Sequence, residues 1–180
     1  MAAEILVAYA SSQESTRGIA AAIADDLRAD EISVTLEPLQ LVTGVRRFSA
    51  VVLGTAIHDG SWLPGIAAFI ATHRRDLEVT PLWIFASGPA EAPFHGEMGE
   101  PPEAVSGEIE RVGPRDIALF AGTLQPHHVA ACLRALSRVT RTTVGDHADY
   151  AALRRWTDRI RREVAPSGDR APVSVLGMPR

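Results

Sequence analysis

Residues 5–17 read Ile5-Leu6-Val7-Ala8-Tyr9-Ala10-Ser11-Ser12-Gln13-Glu14-Ser15-Thr16-Arg17. The run Ile5 to Tyr9 is apolar without alternation, the pattern of a strand covered on both faces. It stops in hydroxyl residues, and a helical spacing follows with Ile19, Ile23 and Leu27 on one face. A buried strand ending in a Ser/Thr-rich turn at a helix start gathers backbone N–H groups, hydroxyl donors and the positive end of a helix dipole at one spot. That chemistry suits a phosphate monoester. A capped turn explains part of the pattern, with Ser15 or Thr16 as N-cap of a helix beginning near Arg17. The hydroxyl side chains of residues 11–16 outnumber what a cap needs.

Working outward, further apolar runs occur at Val51 to Leu53, Leu82 to Ala86 and Ile117 to Ala121. Val34-Thr35-Leu36-Glu37 alternates instead, as an edge strand does. Helical spacing recurs in Ile66, Phe69 and Ile70, in Val105, Ile109 and Val112, and in Val129, Leu133 and Leu136. A last helix carries Tyr150, Leu153, Trp156, Ile160 and Val164. Alternation of strand and helix predicts a doubly wound α/β parallel sheet with helices on both faces. Connections from helix to strand, such as Asp30-Glu31 and residues 46–49, are short, whereas those leaving the strands are polar and irregular. Function is therefore expected at the carboxyl ends of the strands, where open α/β sheets bind ligands. We expect one domain over residues 1–165 and a flexible tail at 166–180.

Composition narrows the function classes. Of the 180 residues, 46% are hydrophobic and 22% charged, as in a soluble globular protein. No apolar run approaches the roughly 20 residues that span a bilayer, and no secretory leader is legible, so a cytoplasmic location is expected. One cysteine, Cys132, leaves no internal disulfide or multi-thiolate metal site, and no metal site is expected. The net charge of -4 gives no reason to expect a nucleic-acid partner. All 18 basic residues are arginine, which removes a Walker lysine and a PLP Schiff base, and GxGxxG is absent. Redox chemistry would need an organic cofactor other than one held by the usual dinucleotide fingerprint.

Two more loops leave the same sheet edge. After the strand at Val51, residues Gly54 to Trp62 offer small residues that let a planar ligand approach the backbone, with Trp62 as an aromatic wall or, alternatively, as packing beside Leu63 and Ile66. After Leu82 to Ala86, residues Ser87 to Glu100 have the length and the Gly and Pro content of a ligand-covering loop. His95 in that loop reads as a surface residue. No side chain stands out as a catalytic acid, base or nucleophile.

Several pieces in order carry a resemblance. They are Tyr9-Ala10-Ser11 with Ser15-Thr16-Arg17, Val51 to Ile57 with Trp62-Leu63-Pro64, Ser87-Gly88-Pro89, Pro114-Arg115-Asp116 with Phe120-Ala121-Gly122, and Gly145-Asp146 with Tyr150 and Trp156. The chain resembles the flavodoxin-like FMN proteins, and within them looks most like the menaquinone-dependent protoporphyrinogen oxidase branch. The resemblance implies five strands in the order 2-1-3-4-5 and FMN as cofactor. It puts Ser11, Ser12, Gln13, Glu14, Ser15 and Thr16 around the ribityl phosphate. It puts Thr55, Ala56, Ile57, His58 and Asp59, with Trp62, and Ser87, Gly88 and Pro89, against the isoalloxazine. Hydroxyl and backbone donors to a charged phosphate contribute roughly 1.5 to 3 kcal/mol each, so several can hold FMN without a cationic side chain.

Glu14 departs from the family, which usually has glycine there; Gln13 replaces a common threonine. A carboxylate about 4 Å from a phosphate costs about 1 kcal/mol per unit charge when screened by water and about 4 in a drier setting. Acidic Asp59, Glu91, Glu97, Glu100 and Glu103 either lower the flavin potential or form a solvated rim. Residues 117–145 hold no acid, and Arg134, Arg138 and Arg141 accompany the apolar positions of the helix in 126–144. In the oxidase branch this region is associated with the membrane; the alternative is a core-packed helix with a basic outer face. The resemblance implies an oxidoreductase passing electrons from an organic donor such as protoporphyrinogen to a quinone-type acceptor or redox protein. The alternatives are a flavodoxin-type electron carrier, and a domain without flavin that acts in interaction or regulation.

Overall fold

A computed structural model describes residues 3–10, 14–28, 32–58, 61–88, 103–121 and 146–164. The apolar runs become strands β1 (Glu4–Tyr9), β2 (Ser33–Pro38), β3 (Ala50–His58), β5 (Leu82–Gly88) and β6 (Asp116–Ala121). A two-residue β4 (Ser61–Trp62) turns back antiparallel on the end of β3. Helices α1 (Glu14–Arg28), α2 (Pro64–Leu77), α3 (Glu103–Val112) and α4 (Asp146–Val164) complete the described elements. The main strands run parallel in the order β2-β1-β3-β5-β6, which is 2-1-3-4-5 with the short β4 set aside. The expected doubly wound sheet is thus present, with the alternating strand β2 at its edge. The helix expected around Val129 to Leu136 and the tail at 166–180 lie outside the described residues.

Successive side chains of a strand point to opposite faces, and this alternation builds two cores. Leu6, Leu53 and Ile84 face one layer with Ile66 and Ile70 of α2 and Ile109 of α3. Ile5, Val7 and Val52 face the other with Ile19 and Ile23 of α1 and Trp156 of α4. Strands buried on both sides need continuous apolar sequence, which is why β1, β3 and β5 do not alternate.

Helix limits follow local chemistry. Pro64 opens α2, where its missing N–H costs no helical bond. Gly113 closes α3 at φ 54°, with its N–H donating to the Ile109 carbonyl at 3.0 Å. A left-handed closing residue suits glycine because it has no Cβ to clash. Helix α1 starts at Glu14 and not near Arg17, so Ser15 and Thr16 stand within its first turn and are not its N-cap.

Packing between the layers uses both rings and ions. Trp156 meets Phe120 and Phe85 edge-on, at ring separations of 5.7 and 6.4 Å. Its Nε1–H donates to Asp116 Oδ2 at 3.0 Å. Near the end of α1, Asp26 accepts from Thr157 and pairs with Arg161 at 3.2 Å and Arg154 at 3.5 Å, all on α4. This network ties α4 to α1 across their shared face.

Candidate functional site

The strand order reverses at β1, because β2 lies on one side of it and β3 on the other. A crevice opens at such a switch point above the carboxyl ends of the strands. Helix α1 starts five residues after the end of β1, on that edge. Its first N–H groups have no intrahelical acceptor, and its dipole is positive there. Ala10 N–H donates to the Gly54 carbonyl at 2.8 Å, which continues the β1–β3 pairing beyond the last strand residue. The chain leaving β1 is thereby held beside β3.

Three of the expected site residues are buried together. Thr16 Oγ1 and Ser87 Oγ are 2.7 Å apart, joining the first turn of α1 to the end of β5. Ser87 Oγ also donates to the Thr55 carbonyl at 3.4 Å. Thr55 Oγ1 accepts from Leu63 N–H at 3.3 Å. Leu63 N–H also reaches the Ala56 carbonyl at 3.3 Å, so the return from β3 through β4 is pinned at its base. Thr16 and Thr55 are 0% exposed and Ser87 4%. Their hydroxyls are bonded to one another's elements at the base of this edge.

Other expected residues fall in different settings. Ile57 and His58 end β3 and pair with Trp62 and Ser61 of β4. Trp62 is 7% exposed and belongs to the core under α2, with Leu63 and Ile66 beside it. The indole thus supports the loop from inside, the packing alternative weighed from the sequence. Glu14 and Ser15 open α1, and Gly88 ends β5. Ser11, Ser12, Gln13, Asp59 and Pro89 lie outside the described residues, as do residues 91–100.

Gly54 serves a purpose that its sequence context did not disclose. A Cβ at this position would lie 2.2 Å from Phe85 Cζ, so the missing side chain makes room for a core ring. Gly54 and Phe85 are register partners on β3 and β5. The small residue was expected to admit a planar ligand; the structure fills that space with protein. Sequence reasoning missed this pairing and the Thr16–Ser87 bond, because both require the strand register.

Among the described residues no group of three or more His, Cys, Asp or Glu is placed to hold a metal ion. No described helix is long and apolar enough to cross a membrane.

The donor set fits a flavin phosphate in kind. It combines a helix start, whose first N–H groups have no intrahelical acceptor, at a switch point with neutral, buried hydroxyls at Thr16, Thr55 and Ser87. Solved structures share the architecture. A flavodoxin from the domain Archaea superposes with a TM-score of 0.59 at 14% identity, covering 89% of this chain and 98% of its own. Oxidised Flavodoxin 2 from Bacillus cereus gives 0.55 at 19% identity, covering 89% and 99%. Rubredoxin oxygen:oxidoreductase from Desulfovibrio gigas gives 0.58 at 17% identity, and 89% of this chain matches 36% of that larger one. No match was found among curated proteins. The flavodoxin-domain family model matches residues 6–147, which take in most of β1, all the other described strands and the helices α1, α2 and α3 between them. The chain belongs to the flavodoxin-domain family, and that membership implies FMN as its cofactor.

Proposed function

We propose that this protein is an FMN-dependent oxidoreductase that passes electrons between an organic donor of the porphyrinogen class and a quinone-type acceptor. One observation carries the flavin part of this reading: α1 begins at the sheet's switch point with its first turn fixed to β5 through Thr16 and Ser87. FMN, when bound, supplies acceptance and release of a hydride or of single electrons. The protein's own part is to bind, orient and shield. Glu14, Ser15 and Thr16 would hold the phosphate through the first N–H groups of α1, with Ser11, Ser12 and Gln13 completing the cradle. Backbone at Thr55, Ala56, Ile57, His58 and Asp59, and at Ser87, Gly88 and Pro89, would border the ring, with Trp62 supporting from the core.

The donor and acceptor rest on the resemblance to the menaquinone-dependent protoporphyrinogen oxidase branch. Arginine-bearing residues 126–144 would bring the protein to an anionic membrane where a quinone dissolves. Visible absorption of the purified chain, followed by FMN titration, tests the flavin site; no flavin colour and no uptake would remove the proposal. Steady-state oxidation of protoporphyrinogen with a quinone then separates an enzyme from a carrier, which shows no turnover without a reductase.

A second reading has its own observation. An acidic residue, Glu14, is the first residue of α1, where the phosphate would be held. The flavin site of a domain acting through protein interaction could tolerate that charge. Such a protein would gain FMN binding only when Glu14 is replaced.

A further inference from the structure

We propose that the outer edge of β2 is a latent pairing site for a second copy of this chain, kept closed by Arg28 at the end of α1. Strand β2 ends the strand order, and no described strand pairs with its far side. Backbone groups of successive strand residues point alternately to one neighbour and to the other. Ser33 N–H reaches the Ala3 carbonyl on the β1 side, so Thr35 and Glu37 also face β1. Val34 and Leu36 therefore present their N–H and C=O groups outward, and Pro38 has no N–H to offer.

Arg28 occupies that edge at Val34. Its Nη2 donates to the Val34 carbonyl at 3.0 Å, the distance at which the N–H of an added strand would stand. Its Nη1 donates to Asp25 Oδ1, also at 3.0 Å, so the guanidinium is held from two sides. A cation on a sheet edge opposes pairing, because an incoming strand must strip it of water or push it aside.

The edge is otherwise matched to itself. An antiparallel copy centred on Thr35 sets Val34 of each chain against Leu36 of the other, Thr35 against Thr35, and Ser33 against Glu37. Val34 and Leu36 lie on the α1 side, packed partly against the core there, so that face gains apolar pairs. The opposite face gains polar pairs, with no like charges directly opposed. In this register Val34 and Leu36 exchange both backbone bonds, and one of each pair of bonds ends on the carbonyl that Arg28 holds. A second copy is the occupant that fits, because the match on both faces is contained in β2 itself.

The test is sedimentation velocity of the full chain over a range of concentrations, for wild type, Arg28→Ala, and Arg28→Ala with Leu36→Pro, each checked by circular dichroism. The Arg28–Asp25 pair is about half exposed, so its loss barely alters stability. Arg28→Ala should associate about tenfold more tightly than wild type, since a charged hydrogen bond in each copy no longer has to be broken. Leu36→Pro removes an outward N–H and leaves the bonds to β1 in place, so the double variant should return to wild-type behaviour. Register is read by cross-linking in an Arg28→Ala, Cys132→Ser chain. Thr35→Cys should give a disulfide-linked dimer under mild oxidation, because that residue meets its own copy in a closely spaced, non-hydrogen-bonded pair, whereas Glu37→Cys should not. Unchanged association in Arg28→Ala, association that survives Leu36→Pro, or equal cross-linking at positions 35 and 37 would each overturn the inference. If Leu36→Pro does not fold, the cross-linking comparison decides.

Discussion

At the start of α1, Thr16 shares a hydrogen bond with Ser87, whereas near its end Asp26 is gripped by Thr157, Arg154 and Arg161 of α4. Both clusters join α1 to a distant element; Thr16, Ser87 and the Asp26 carboxylate are shielded from water, whereas Arg154 stays half exposed. The first uses neutral hydroxyls and the second uses ions. A neutral brace leaves the helix N-terminus electrostatically available for a ligand. An ionic clamp brings stronger coupling, together with a desolvation cost that punishes the loss of either partner. The molecule thus separates ligand positioning from layer assembly along a single helix.

The sharpest way to break this contrast is at the ionic end. Asp26→Ala should cost about 3 kcal/mol in urea unfolding, because Thr157 loses a buried acceptor and Arg161 loses one carboxylate partner while keeping Asp158. FMN affinity of the folded fraction should stay at the wild-type value. A large loss of affinity would mean that the two ends of α1 are not independent.

Gly54→Ala comes next, at about 2 kcal/mol, since the added Cβ must displace the Phe85 ring from its partners Phe120 and Trp156. Thermal unfolding measures it, and a melting temperature equal to wild type would show that the ring moves freely. Glu14→Gly probes the start of α1. Removing the charge should tighten FMN by about fivefold, the screened Coulomb value, and lower helix stability by about 0.5 kcal/mol as a favourable dipole contact is lost. Unchanged affinity would place the carboxylate away from the phosphate.

The smallest effect is expected for Arg28→Ala. Its 3.0 Å pair with Asp25 is about half exposed on both sides, and such pairs contribute about 0.3 kcal/mol. Measured against Asp26→Ala, it calibrates what burial adds to an ion pair on the same helix.

Much of the fold was legible in apolar spacing. Ile5 to Tyr9, Leu82 to Ala86 and Ile117 to Ala121 each fall within a strand, and Val34 to Glu37 occupies the edge. The run Val51 to Leu53 marks only part of β3, which continues through Gly54 and Thr55 to His58. Those residues lack strong strand character, and pairing with β5 and β4 holds them extended. The start of α1 was misplaced by three residues because Ser15 and Thr16 are favourable caps in isolation. Contacts with β5 make Thr16 a first-turn residue facing inward.

The candidate site divides in the same way. The hydroxyl-rich turn after a buried strand, and its location at a carboxyl edge, follow from local sequence because strand and helix periods are local properties. The roles of Ser87, Thr55, Trp62 and Gly54 do not. Each depends on a partner brought close by sheet register or by the β3–β4 return, five residues away for Trp62 and eight or more for the others. From the sequence alone came the alternating layers, the likeness to flavin proteins and the acidic departure at Glu14. Tertiary structure alone decided which hydroxyls turn inward, since the direction of a side chain is set by the packing around it and not by its neighbours in the chain.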